Sequence, residues 1–131
     1  MQTFLPYSDF KKSASVLDWR RLGKQRVEAD QILNVNYRGH GAWHNHPAAR
    51  MWKGFEEALK EYRNYCIREW IKRGYNNNML ILSVGKIVYP SWLGKEEFHS
   101  SHRSNLIRKF PEYYSKFGWK ETPDLPYFWP I

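Results

Sequence analysis

Between Pro47 and Gly74, the residues Met51, Phe55, Ala58, Leu59, Tyr62, Cys66 and Trp70 recur every three or four positions. That repeat places side chains on one face of an α-helix. A stripe this wide is hidden from water by packing other helices on it, so the chain is expected to be all-α. Pro47 suits a first turn, where its missing N–H costs nothing. Lys72 and Arg73 complement the negative C-terminal end, and Gly74 supplies the C-cap. The spacing predicts one unbroken helix over 47–73.

Around that spine the sequence predicts a compact single domain, 1–131, of about three main helices with long loops and an extended aromatic tail. A short helix over 8–17 takes Ser8 as its cap, and Asp18 is the N-cap of the next. There Leu22, Gln25, Ala29, Ile32 and Leu33 keep helical spacing to about Asn34. Asn36 to Gly41 reads as a loop, and Asn76 to Asn78 as a turn. Met79 to Tyr89 fits either a short strand or a buried helical turn. A third helix runs from about Ser101 to Lys109, and Pro111 opens a short one that ends at Gly118. Tyr127, Phe128 and Trp129 of the tail are expected to pack on the helices.

The charge is lopsided. Lys and Arg number 21 against 13 Asp and Glu, for a net +8. Four cations crowd into Arg20-Arg21-Leu22-Gly23-Lys24-Gln25-Arg26, a density that repels itself by about 1 kcal/mol per close pair even in water. A phosphate backbone is the partner that relieves such repulsion. Aromatic residues at 18% add flat faces for bases, though most are expected in the core. No run is long and apolar enough for a bilayer, and the opening residues lack a secretory layout. Cys66 is the single cysteine, which leaves no intramolecular disulfide or thiolate metal cage and points to a reducing cytosol.

On a 3.6-residue repeat, Arg21, Lys24 and Glu28 share one helix face, with Arg20 and Arg26 pointing elsewhere. This is either a solvated face with a Lys24–Glu28 pair or a phosphate grip beside a carboxylate. His40, His44 and His46 match no zinc spacing, so no metal is expected. His46 and Arg50, at the start of the long helix, are expected to face an anion. His99 to Asn105 reads as a phosphate-contacting segment carrying His102, Arg103 and Lys109, or as a capping segment with incidental histidines.

Two stretches carry a family resemblance. Arg68-Glu69-Trp70-Ile71-Lys72-Arg73-Gly74-Tyr75, and the closing Leu106 to Gly118 with its Lys109-Phe110-Pro111 and Tyr113-Tyr114, resemble the pyrimidine-dimer DNA glycosylases of the phage endonuclease V type. The Arg20–Arg26 run falls where that family carries its catalytic, DNA-gripping helix. The resemblance implies an all-helical monomer that binds double-stranded DNA without a cofactor, flips a nucleotide and cuts the glycosidic bond. Family members then nick the strand by β-elimination.

It also implies that the N-terminal α-amine attacks the sugar C1′ and forms a Schiff base. Free α-amines titrate near ~7.8, so roughly a tenth is neutral at pH 7, against below ~0.1% of lysine side chains. Gln2 is too bulky for routine removal of the methionine before it, so the amine is expected to be that of Met1. The family carboxylate directly follows the first arginine of the motif, where this chain has Arg21. Glu28 is the expected substitute, with Asp18 behind it. On this reading Met1, Glu28, Arg21 and Lys24 are catalytic. Arg20, Arg26, Trp43, His46, Arg50, His102, Arg103 and Lys109 hold DNA, and Trp19 or Trp43 stacks on the extruded base. The competing readings are a non-catalytic nucleic-acid-binding domain on the same scaffold and an enzyme acting on free nucleotides.

Overall fold

In the computed structural model, which describes residues 1–131, the chain forms α1 (Phe10–Val16), α2 (Trp19–Arg38), α3 (Pro47–Arg50), α4 (Glu56–Lys72), α5 (Glu96–Lys109), α6 (Pro111–Tyr114) and a closing 3-10 turn (Ser115–Phe117). The fold is all-α, and α2, α4 and α5 are the three long helices. α2 and α1 both pack on α4. Leu22, Ile32, Leu59, Tyr62 and Trp52 are sealed between them. Each such side chain contributes about 1.5–3 kcal/mol on leaving water. The core takes residues from both ends of the chain, Phe4 and Leu5 as well as Tyr114, with Tyr127, Phe128 and Trp129 packed against it.

Several boundaries differ from the expected ones. The 47–73 helix is broken: Gly54, at φ +88°, leaves the right-handed region, and the amide of Phe55 turns back to Trp52. The apolar stripe survives because α4 resumes with Phe55 as its cap. Asp9, not Ser8, caps α1 through a 2.9 Å bond from the Lys12 amide. α2 runs on to Arg38, where Gly39 ends it at φ +75°. α5 starts at Glu96, with Glu96 and Glu97 favourably placed in its positive first turn.

Met79 to Tyr89 is neither strand nor helix. It lies extended along α4, whose polar side chains satisfy its backbone. Arg63 donates to the Leu80 carbonyl at 2.7 Å, Asn64 donates to and accepts from Leu82, and Glu57 accepts the Gly85 amide at 2.6 Å. A lone apolar segment without a partner strand is paired by side chains instead. No helix is long and apolar enough to cross a membrane.

Candidate active site

Residues 2 to 6 are extended and have no neighbouring strand, and Gln2 to Leu5 are buried. Their backbone groups therefore bond to side chains from three helices. Gln25 of α2 accepts the Phe4 amide at 2.7 Å, and Tyr62 of α4 donates to the Phe4 carbonyl at 2.7 Å. On α5, His102 Nδ1 accepts the Leu5 amide at 2.9 Å, while His99 Nδ1 donates to the Leu5 carbonyl at 2.8 Å. Arg103 donates to the Pro6 carbonyl at 2.7 Å. These bonds fix where the first residue sits.

Met1 projects from this anchored segment into the wall of a cavity of about 1300 Å³. Arg20, Arg21, Lys24, Gln25 and Glu28 of α2 line it, Lys109 joins from the end of α5, and Trp19, Trp70, Phe110 and Tyr127 give it aromatic faces. Gly23 leaves a bare patch of helix there, across which the Trp70 ring lies 3.0 Å from where a Cβ would stand. Arg20 thus faces the cavity with Arg21 and Lys24, contrary to the helical-wheel expectation.

Gln25 ties the amine end of the chain to the carboxylate. Its amide nitrogen donates to the Gln2 carbonyl and to Glu28 Oε2, both at 3.0 Å. Its oxygen accepts from the Phe4 amide and shares the single Tyr62 hydroxyl proton with the Phe4 carbonyl. All four of its bonding positions are used, so one side chain sets the spacing of Met1 and Glu28. The Lys24–Glu28 ion pair of the solvated-face alternative does not form; Glu28 takes its bond from Gln25 instead.

The field in the cavity is positive. Burial, then Arg21, Arg108 and Lys24, hold the Lys109 amine below its ordinary value, with Glu28 opposing. Burial and the α-ammonium of Met1 lower the His46 imidazole, so that ring lies within electrostatic reach of the chain start. An anion entering here meets cations with few acids of their own: of the four in the wall only Arg21 has an acid partner, Asp18 at 3.2 Å.

Other expected residues lie elsewhere. His102 is 1% exposed and its Nε2 has no partner. Burial, then the neighbouring His99, pushes it down to about 3, so it stays neutral in the core and cannot meet phosphate. Arg103 is committed to Glu96, Glu121 and Pro6. Arg26 stacks on Trp70 at 4.2 Å and donates to Asn77. Asp18 is buried, bonded by the Tyr114 hydroxyl and Arg21, and takes no part in the cavity wall. His46 uses Nδ1 to cap the four-residue α3. Trp43 and Arg50 are exposed outside the cavity wall. His40, His44 and His46 do not gather into a cluster that could hold a metal ion. Gln25 was the residue missed, and its signal was a glutamine in an otherwise apolar stripe.

No curated protein and no solved structure matches the chain. The family model of the pyrimidine dimer DNA glycosylases matches residues 1–83. That segment holds Met1, the α2 cations, Gln25, Glu28 and the Trp70 stretch, while Lys109 and Tyr127 come from the remainder. With more than half its length under that match, the chain belongs to the pyrimidine dimer DNA glycosylase family.

Proposed function

We propose that the protein excises a base from double-stranded DNA, with the Met1 α-amine as nucleophile and Glu28 as the carboxylate, and that strand nicking follows through the same imine. The observation that carries this reading is the Gln25 bridge, which links the segment bearing the amine to Glu28 within one cationic cavity. In the reaction the amine lone pair forms a bond to C1′ as the glycosidic bond breaks; the base leaves with the electron pair of the broken bond and takes up the proton that the amine sheds. The Glu28 carboxylate stabilises the positive charge that develops on the sugar. Ring opening gives the imine. Loss of a C2′ proton to a carboxylate then expels the 3′ phosphate. Arg20, Arg21, Lys24 and Lys109 hold the flanking phosphates, and Trp19 and Tyr127 offer faces for the extruded base.

Borohydride trapping on a duplex with an abasic site tests the chemistry. The expected result is a covalent adduct that maps to the α-amine of the first residue and disappears when that amine is acetylated. Glu28→Gln is expected to cut turnover by about 10²–10⁴-fold while duplex affinity is kept or slightly raised. No adduct, together with unchanged behaviour of Glu28→Gln, leaves a binding domain without catalysis.

A further inference from the structure

Trp43 is the one residue other than glycine with a positive φ, at +72°. A Cβ-bearing residue crowds its own carbonyl there, whereas glycine takes the conformation freely. Strain of this kind persists where the surroundings over-determine it. Two short turns do so here, with the His44 amide bonded to the Gly41 carbonyl and the His46 amide to that of Trp43. The ring so held is not tucked into the core: Trp43 is 57% exposed.

Its place relative to the cavity is defined by a row of rings. Tyr127 lines the cavity, Trp129 follows at 5.6 Å, His46 at 5.8 Å from Trp129, and Trp43 at 5.6 Å from His46, edge to face. Trp43 therefore stands at the outer end of an aromatic ridge that begins in the cavity wall, and it is itself outside that wall. The cavity already has flat faces of its own in Trp19, Phe110 and Tyr127, with the Trp70 ring covered by Tyr75 and Arg26. A base drawn into the cavity has no use for a fourth ring beyond the rim. The duplex left behind does, because extruding a nucleotide opens a gap between two exposed base faces.

We infer that Trp43 is a wedge that enters the base stack beside the extruded nucleotide and fills the space it leaves. This rests on the reading of double-stranded DNA as the partner, and it assigns Trp43 to the duplex, not to the extruded base. The strain suits a wedge, since a loop fixed in one conformation presents the indole without having to order it on contact. His46, braced between Trp43 and Trp129 and bonded to the Ala48 amide, is the positioning residue behind it.

The test uses a duplex and a single strand that carry 2-aminopurine beside an unreactive abasic analogue, so no excision is needed for a signal. 2-Aminopurine is bright where a stacked neighbour is missing, as beside the abasic gap, and dims when an aromatic ring stacks on it. At saturating protein the duplex probe is expected to dim with wild type and to keep most of its brightness with Trp43→Ala and with Trp43→Gly. Glycine keeps the loop's path, which separates loss of the ring from loss of the loop. The single-strand signal is expected to be the same for all three proteins. Full dimming by either variant on the duplex overturns the wedge, as does a wild type that leaves the probe bright. A wild type that dims the probe through Trp43 yet releases no base from any duplex removes the proposed chemistry and leaves the wedge standing.

Discussion

Two stretches of this chain look alike in charge and behave in opposite ways. Residues 20–26 and residues 99–109 are both dense in basic side chains and both fall on long helices. The first keeps Arg20 and Lys24 open to the cavity without an acid partner. The second, apart from Lys109 at its end, which reaches the cavity, turns His99, His102 and Arg103 inward, where they bond the backbone of residues 5 and 6 and the acids Glu96 and Glu121. A count of positive residues does not distinguish them. The difference lies in what each charge is bonded to, and only cations lacking such bonds remain for phosphate.

The sharpest break of that contrast uses acid. His102 is neutral in the folded protein until about 3, against an ordinary 6.5 in the unfolded chain. Below 6.5 the unfolded chain therefore binds the extra proton, and stability falls with pH until the folded group also titrates. At about 1.4 kcal/mol per pKa unit, the full span to about 3 is worth up to ~5 kcal/mol. His99, also lowered by burial, adds in the same direction. Between pH 6.5 and 5, ahead of most carboxylates, urea unfolding is expected to show a loss of ~2 kcal/mol. His102→Gln should flatten that slope. A flat profile in the wild type would return His102 to the surface and dissolve the distinction.

A second break, below the full ~5 kcal/mol span of the acid effect, comes from removing one cation on each side. Arg103→Ala strands the half-buried Glu121 and frees the Pro6 carbonyl, at an expected cost of about 3 kcal/mol in unfolding free energy. Lys24→Ala is expected to leave the melting temperature where it was. Its effect appears in duplex affinity, where the slope of log K against log salt shrinks by about 0.9, the share of one phosphate contact. Reversed outcomes, with Lys24 needed for stability and Arg103 for salt-dependent binding, would exchange the two roles.

These cases show what was legible beforehand and why the rest was not. Helical class and the shared face of Arg21, Lys24 and Glu28 follow from local spacing, because a 3.6-residue period is a property of neighbours in sequence. The inward turn of His102 and Arg103 depends on an extended segment some 97 residues away, and no local period records that. The break at Gly54 was present as a glycine after Trp52-Lys53, but the apolar stripe continued through it and masked the stop. Gln25 falls on the same helical period as the core positions around it. Its polarity in that stripe was the sign that something other than packing held it.

The smallest expected effect lies within the outward stretch itself and sets two local rules against each other. Gly23 sits in the interior of α2, where alanine is favoured over glycine by about 1 kcal/mol. An added Cβ, however, meets Trp70 Cζ3 at 3.0 Å and Cη2 at 3.2 Å. Trp70 has little room to yield: its indole donates to the Asn76 carbonyl at 2.7 Å, Tyr75 packs on it at 4.4 Å and Arg26 covers it at 4.2 Å. Overpacking of this kind costs about 1–3 kcal/mol, enough to cancel the gain. Gly23→Ala is therefore expected to melt at or slightly below the wild-type temperature, and in a Trp70→Leu background the same change should raise it. A stabilised Gly23→Ala in the native background would mean that the Trp70 ring moves freely, and that the cavity wall beside Lys24 is softer than its bonds imply.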